Sequence, residues 1–570
     1  MIGLNKIGLN QVQLNRLRLN APFPAYGKMA GGGGSGDGFP QLPGDVTRWH
    51  FGGLTNEMMA AMDDPRLEDA DGKGRFLSFK NLAWKGMSGV GGYVGDFSKW
   101  VNNRDTTEIG ITKSNSKVII DVKVSQGSGK NIVFISKSNL GISNNVTIKI
   151  TSTYPEGVMK FANSASNKYL KLPSNGIITL QDNPEYTSNE MYLHLASADL
   201  GQITIEQLPL YPGALIFDGV DDYGVCENFP ILTKEKGYTV VALRQWITRG
   251  EIAQGLVSNV KNWLKDGAFL LEYRNIQADH LNKPISFGAI GSEMDLPHIL
   301  TYQTSKSYNG VSITTGNFEG TDVLHVGKLA PTNVGTCINA AIWELVFLDH
   351  DATEEELTKI KDYFVKTYPW LFPDQAWTVT GKTNEDEDRA TIANITGNGN
   401  DLILSNFGFA EGSGYNEQGE YAGYLVTDGV DDKIVSSVFG MGKDFTIVGD
   451  WKFIDNKKSG TGLVKGSSFY IYNTMIGLDL YINSGSVKNS LDGIKSINAA
   501  CSDGRAYDRN WNEILANTGN VVGSGGTLEV SSSGGRFDRI AFKNLAIYPR
   551  ILSKYDCVKA YNYLQTLKAK

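Results

Sequence analysis

The chain has 570 residues, 41% of them hydrophobic, and a formal net charge of −7 at pH 7. That length exceeds what one hydrophobic core supports and predicts several domains, while 65 glycines and only 17 prolines favour a folded, loop-rich, mainly β protein. The acidic balance without a long basic run argues against nucleic acid as a partner, and no apolar stretch is long enough for membrane insertion.

The first twenty residues repeat a pentad in which every fifth residue is leucine and asparagine follows it. A second apolar residue precedes each leucine by two positions, which predicts one coil of a pentapeptide β-solenoid. A single coil needs neighbours, so we expect this segment to dock on a partner or on copies of itself; a frayed tail is the alternative. The predicted attachment residues are Leu4, Leu9, Leu14, Leu19, Asn5, Asn10, Asn15 and Asn20.

A flexible linker and a connecting segment are expected to follow the pentads. Gly31 to Gly38 has the composition of a flexible spacer, so residues 1–45 are assigned to anchor and linker. Residues 46–105 are predicted to be a connecting segment with a short helix that begins near Thr55.

Within the connecting segment, residues 71–93 are rich in glycine and aromatic residues, as in Arg75-Phe76-Leu77-Ser78-Phe79. This block resembles structural proteins of tailed phages and prophages of gut bacteria. The resemblance implies a virion component, and the residues themselves indicate no chemistry.

The stretch 106–210 alternates apolar and polar residues in short runs such as 117–124, 131–135 and 146–150. Short alternating strands between Gly, Asn and Ser turns predict a small antiparallel, Ig-like sandwich.

The rest of the chain contains a tandem repeat. Residues 215–223 (LIFDGVDDY) return as residues 425–433 (LVTDGVDDK), a shift of 210 positions (428 minus 218). Residues 342–348 and 540–548 also match, and each leads to a helix predicted to begin at Thr353 or Ser553. This order resembles the laminin-G or concanavalin-A-like jelly-roll family. The prediction is a mainly β, multidomain fold with an extended N-terminal anchor, the small sandwich, and jelly rolls at 211–373 and 374–570.

The repeated turns carry the densest carboxylates, which are Asp218, Asp221 and Asp222 with Asp428, Asp431 and Asp432. Asp-Gly between strands is what a tight turn requires, so the turn interpretation is favoured and no metal site or cofactor is predicted. Calcium is the alternative, because oxygen clusters bind it and concanavalin-A-like domains often hold one.

No catalytic residues are predicted, and no enzymatic activity is expected. Glycoside hydrolases of this fold need two carboxylates across a cleft, whereas residues 354–356 lie at a helix start and residues 385–388 in a polar turn. The six histidines are dispersed, and the four cysteines (Cys226, Cys337, Cys501 and Cys557) lack disulfide-framework or metal spacing. Free, mostly buried thiols are expected.

Aromatic residues on predicted strands or loops are candidates for stacking on sugar rings. Core packing is the competing interpretation for each of them. The candidates are Trp246, Trp263, Tyr273, Trp451, Tyr470 and Tyr472.

These features favour a phage virion structural protein, a head or tail fibre or adhesin, whose pentads contact capsid or tail proteins and whose jelly rolls bind host surface glycans. Sec-type export is not expected from the N-terminal sequence, so assembly in the host cytoplasm and release in virions is the expected route. A homo-oligomer is expected, with a trimer common among fibres. The alternatives are a bacterial cell-surface carbohydrate-binding protein and a decoration protein without a ligand.

Overall fold

The structure is a computed structural model, and it is mainly β and multidomain, as predicted. The described residues are 38–102, 107–125, 129–164, 168–180, 185–197, 199–248, 254–267, 269–274, 299–312, 319–328, 337–454, 461–465, 469–473, 477–482, 490–492, 497–515, 524–530, 532–533 and 536–569. The pentads and the glycine linker lie outside the described residues, so the attachment residues stay a prediction.

The first sandwich comprises residues 38–92 and 211–372 and contains an eight-stranded and a six-stranded antiparallel sheet. Both sheets contribute to one core, which includes Trp49, Phe217 and Phe347. Its strands are β1 (Val46–His50), β2 (Arg66–Glu68), β3 (Phe76–Lys80), β4 (Gly89–Val90), and, after ten strands of another unit, β15 (Leu215–Asp218), β16 (Tyr223–Cys226), β17 (Thr239–Thr248), β18 (Gln254–Gly267), β19 (Leu270–Arg274), β20 (Leu300–Thr304), β21 (Ser307–Tyr308), β22 (Val311–Ser312), β23 (Glu319–Val326) and β24 (Asn339–Leu348).

The pairing of β1 to β4 corrects the predicted domain boundaries, because residues 46–105 are not merely a connecting segment. Strand β1 pairs with β24 along Val46–His50, β3 pairs with β16, and β4 pairs with β15. The first sandwich therefore begins well before residue 211. The small sandwich is inserted between β4 and β15 rather than preceding the first jelly roll.

The inserted sandwich, residues 94–208, has two five-stranded antiparallel sheets around a core of its own. The predicted alternation is present, since successive residues of Lys117–Val122 are half-buried and buried in turn. Its strands are β5 (Val101–Asn102), β6 (Ile109–Lys113), β7 (Lys117–Val122), β8 (Lys130–Ser136), β9 (Thr147–Ser152), β10 (Met159–Asn163), β11 (Tyr169–Lys171), β12 (Asn175–Thr179), β13 (Glu190–Leu195) and β14 (Gly201–Gln207).

The second sandwich, residues 374–569, repeats the first without the insertion. Its central strand β44 is flanked by β25 and β29, as β24 is flanked by β1 and β15 in the first sandwich. Its strands are β25 (Gln375–Thr378), β26 (Thr391–Ile392), β27 (Leu402–Ser405), β28 (Gly414–Asn416), β29 (Tyr424–Val426), β30 (Lys433–Ser436), β31 (Phe439–Met441), β32 (Thr446–Phe453), β33 (Thr461–Lys465), β34 (Phe469–Asn473), β35 (Gly477–Ile482), β36 (Ser490–Asp492), β37 (Ile497–Cys501), β38 (Arg505–Asp508), β39 (Glu513–Leu515), β40 (Ser524–Gly526), β41 (Glu529–Val530), β42 (Ser532–Ser533), β43 (Arg536–Phe537) and β44 (Ile540–Tyr548).

The four α-helices of the described chain are α1 (Asn56–Ala60), α2 (Lys137–Leu140), α3 (Glu354–Thr367) and α4 (Lys554–Leu564). The predicted caps are confirmed at Thr55, Thr353 and Ser553, whose side chains each accept a backbone N–H of the first turn. Thr353 also forms a capping box with Glu356. None of these helices is both long and apolar enough to cross a membrane.

The two repeated sandwiches pack back to back through α3 and α4. Their outer sheet faces share one hydrophobic core, in which Trp343 of β24 contacts Tyr563 of α4 with ring centroids 6.0 Å apart. The Tyr548 hydroxyl donates to the Trp370 carbonyl across this interface at 2.9 Å. The pair therefore forms one unit joined by buried apolar surface. All four cysteines are free and buried, as expected.

Candidate functional site: a duplicated aspartate loop

The repeated Asp-Gly turn joins β15 to β16 and is held by its own carboxylates. The Val220 amide donates to Asp218 Oδ1 at 2.8 Å, and the Asp218 amide donates to Asp222 Oδ2 at 3.0 Å. Gly219 has a φ of +83° and its Cβ position lies 2.9 Å from Asn339, so a larger residue is disfavoured there. Local hydrogen bonding thus explains why this turn needs both aspartates.

The second sandwich builds the same loop between β29 and β30. The Val430 amide donates to Asp428 Oδ1 at 2.7 Å, and the Asp428 amide donates to Asp432 Oδ2 at 2.7 Å. Gly429 again has a positive φ, +74°. The favoured turn interpretation therefore accounts for two of the three carboxylates in each copy, whereas those of Asp221 and Asp431 are exposed.

A second repeated loop supports each aspartate loop. Asn81 Nδ2 donates to the Asp221 carbonyl at 3.0 Å, and Asn406 Nδ2 donates to the Asp431 carbonyl at the same distance. Both asparagines have a φ of +68°. The contact brings β3 to the turn in the first sandwich and β27 to the turn in the second.

A serine in each supporting loop contacts the buried aspartate. Ser413 Oγ donates to Asp432 Oδ1 at 3.1 Å, whereas Ser88 lies beside Asp222, whose Oδ1 is buried and has no hydrogen-bond partner among the described residues. This repeat was not predicted from the sequence. Its signal is an asparagine followed three residues later by Trp or Phe and seven residues later by Ser-Gly, at 81–89 and 406–414.

The two inner aspartates are hard to ionise. Burial raises the pKa of Asp222 to about 6, and the adjacent carboxylates of Asp218 and Asp221 act in the same direction. Burial likewise raises the pKa of Asp432 to about 6, with Asp428 and Asp431 as the acidic neighbours. Each loop therefore contains a buried carboxylate that is ionised at neutral pH, which costs free energy of folding.

The variants Asp222→Asn and Asp432→Asn should flatten the pH dependence of stability. A carboxyl whose pKa is raised by folding stabilises the folded state fully below about pH 4, and that contribution is lost as the pH rises to about 6. Asparagine stays neutral and keeps an acceptor for the loop amide. We expect the free energy of unfolding of the wild type, relative to the double variant, to fall between pH 4 and pH 6 by up to about 3 kcal/mol per loop.

Denaturant unfolding at pH 4, 5, 6 and 7 measures this difference. The matched control is Asp431→Asn, which removes an exposed carboxylate of the same loop; because Asp431 contributes to the raised pKa of Asp432, this control should reduce the pH dependence only slightly. Parallel pH profiles for the wild type and the double variant would contradict the assignment of the raised pKa to these residues.

Each aspartate loop gathers three carboxylates whose oxygens lie within 4.8 Å of one another. Calcium takes about six to eight oxygen ligands, and at least two of the oxygens here already accept backbone amides. The described residues thus supply part of a calcium ligand set, and calcium binding stays the alternative to the turn interpretation.

The structure places two of the six aromatic candidates in the core, which corrects their assignment as sugar platforms. Trp246 is 2% exposed and Trp451 is 1% exposed, so neither offers a ring face to solvent. Trp263 lies on β18, Tyr273 on β19, and Tyr470 and Tyr472 on β34, but their side chains lie outside the described residues.

Comparison with known proteins gives no family. No family model matches the chain, and no curated protein matches it. The resemblances to laminin-G domains and to phage proteins therefore stay predictions.

Solved structures share only a distant likeness with this chain. A Trypanosoma rangeli sialidase in complex with the inhibitor DANA is 9% identical with a TM-score of 0.24, over 87% of this chain and 67% of that one. A mutant of that sialidase displaying trans-sialidase activity is 10% identical with a TM-score of 0.27, over 87% and 93%. A structure concerning the interaction of botulinum neurotoxin type C with two ganglioside molecules is 10% identical with a TM-score of 0.21, over 60% and 85%.

The sialidases among these structures contradict the expectation that the chain has no enzymatic activity, and that expectation is withdrawn. TM-scores this low carry no argument for an activity in this chain or for a ligand.

Proposed function

We propose that the chain is a phage virion structural protein, a head or tail fibre or adhesin, that presents its paired sandwiches to host surface glycans. The observation that carries this proposal is the shared core between the sandwiches, which includes Trp343 of one and Tyr563 of the other. A pair joined by a buried apolar interface acts as one rigid body.

Rigid pairing suits attachment to a surface that carries many copies of one glycan. Two binding surfaces at a constant spacing convert the second contact into an intramolecular event, which increases the overall affinity without any new contact. The repeated loops support the idea of equivalent outward surfaces, because Val220 is 73% exposed and Val430 is 67% exposed at the same position of each copy.

The remaining parts of the proposal follow from the N-terminal sequence. The pentads would anchor the chain to capsid or tail proteins, with the glycine linker between this anchor and the first sandwich, whose described residues begin at 38 and so shorten the segment assigned to residues 1–45. A homo-oligomer, with a trimer as the form common in fibres, would multiply the sandwiches that face the host. The protein would then be located in the virion.

The test has two parts. The full-length chain is sought by mass spectrometry in purified particles of the source phage, and it is applied to an array of host surface glycans. Presence in particles together with glycan binding is the expected result. Absence from particles would overturn the virion assignment and favour a bacterial cell-surface carbohydrate-binding protein, whereas presence without glycan binding would favour a decoration protein.

A further inference from the structure

The second sandwich carries a basic cluster on the outer face of its eight-stranded sheet that includes β44. Its floor is Tyr424 of β29, which is 5% exposed. The ammonium group of Lys452 lies 4.5 Å from the Tyr424 ring centroid, and that of Lys543 lies 5.8 Å from it. Two half-buried lysines thus lie over one aromatic ring.

A buried polar pair lies beside the lysines. Asp450 is 3% exposed, and its Oδ2 accepts the Tyr424 hydroxyl at 2.9 Å. The Asp450 amide donates to Asn544 Oδ1 at 3.1 Å. Asn544 is fully buried, and its Nδ2 has no acceptor among the described residues, so a hydrogen-bond donor is left over next to the basic cluster.

Neither lysine over Tyr424 has a carboxylate within 4.0 Å in the described part of the chain. Burial lowers the pKa of Lys452, with Lys543 acting in the same direction and the carboxylates of Asp450 and the exposed Glu420 acting against it. Holding like charges together out of water costs free energy, which a bound anion would offset.

The first sandwich uses the equivalent face differently. Strand register makes Gln245 the counterpart of Lys452 and Leu243 the counterpart of Asp450. That face is covered by α4, through the contact of Trp343 with Tyr563. At these positions the second copy carries Lys452 and Lys543 where the first carries Gln245 and Trp343, so its charges are not a general requirement of the fold.

We propose that Lys452, Lys543 and Asn544 bind an oxyanion, a carboxylate or sulfate group, of an acidic surface glycan. The inference rests on the proposed glycan-binding function and assigns it a site and a ligand class. The ammonium groups supply charge, the Asn544 amide supplies a hydrogen bond, and the Tyr424 ring lies beneath the lysines as an apolar floor.

The experiment measures dissociation constants of the full-length chain by calorimetry with three probes. These are a sulfated heparin oligosaccharide, a carboxylated polygalacturonate oligosaccharide and a neutral dextran oligosaccharide. The test variants are Lys452→Gln, which installs the residue of the first sandwich, and Lys543→Gln. The control is Lys433→Gln, which removes a lysine that lies 5.7 Å from another ring, Phe537.

We expect binding of at least one acidic probe, a loss of affinity of about tenfold or more in each test variant, and no change in the control. Higher ionic strength should weaken binding. The midpoint of thermal unfolding of Lys452→Gln should not fall, because the substitution removes a positive charge that is partly buried. A lysine that only stabilised the fold would instead give a lower midpoint when replaced.

Two results would overturn the inference. Binding of acidic probes that is unchanged in both test variants, or binding of neutral glycans alone, would exclude this site while leaving the proposed function intact. Failure of the wild type to bind any glycan, on the array or in solution, would overturn the inference and the proposed glycan binding together.

Discussion

Replacing Glu344 with alanine should lower the free energy of unfolding by about 3 to 5 kcal/mol, because it leaves the Arg48 guanidinium buried without its carboxylate partner. Arg48 Nη1 lies 2.8 Å from Glu344 Oε1, and the two side chains are 1% and 0% exposed. The other carboxylate oxygen accepts the Tyr368 hydroxyl at 2.9 Å and lies 3.1 Å from His50 Nδ1. Denaturant unfolding at neutral pH measures the loss.

An exposed ion pair provides the matched control. Glu355 lies 2.7 Å from Lys359 on α3 but is 78% exposed, so Glu355→Ala should cost less than about 1 kcal/mol. The double variant Arg48→Met with Glu344→Leu removes both charges and should recover most of the stability. A Glu344→Ala protein as stable as the control variant would show that water or another group compensates Arg48.

The parts of the fold that depend on neighbouring residues could be predicted from the sequence. The caps at Thr353 and Ser553 follow from local hydrogen bonds, and the alternation along β7 follows from a sheet with one buried face. The aspartate loops are local as well, since each carboxylate accepts an amide two or four residues away.

The parts that depend on distant pairing could not be predicted in this way. Strand β1 pairs with β24 almost 300 residues later, so no local pattern assigns residues 46–50 to the first sandwich. The repeat between the supporting loops at 81–89 and 406–414 is hard to find in the sequence, because the inserted sandwich separates the first of these loops from its aspartate loop. Trp246 lies at the end of β17, whose first eight residues are all buried, so alternation gives no sign of which residues face solvent.

The basic cluster could not be predicted from the sequence, because it depends on an irregularity in the pairing of two strands. A register shift between Asp450 and Trp451 inserts Lys543 as an extra residue in β44. That irregularity brings Lys543 and Lys452 to the same face as Tyr424, although simple alternation along β44 does not predict it. The first sandwich has the same register shift between Leu243 and Arg244, with Trp343 as the extra residue, so the proposed anion site depends both on the irregular pairing and on the lysine placed there.

Replacing Trp343 with alanine should cost about 3 to 5 kcal/mol and should also uncouple the two repeated sandwiches. Trp343 is fully buried, and its Nε1 donates to the Pro212 carbonyl at 2.9 Å. Its ring contacts Tyr211 of the first sandwich and Tyr563 of α4. The substitution therefore opens a cavity in the shared core, where the coupling between the sandwiches resides.

Calorimetry distinguishes this variant from its control, Trp451→Ala, which opens a cavity inside the second sandwich alone. In the wild type we expect the paired sandwiches to unfold together in one transition. In Trp343→Ala we expect two separate transitions, because the weakened interface no longer couples the unfolding of one sandwich to that of the other. In Trp451→Ala the pair should still unfold together at a lower temperature. Separate transitions in the wild type would mean that the shared core does not hold the sandwiches as one body. The proposed attachment function, which depends on two sandwiches held at a constant spacing, would then lose its support.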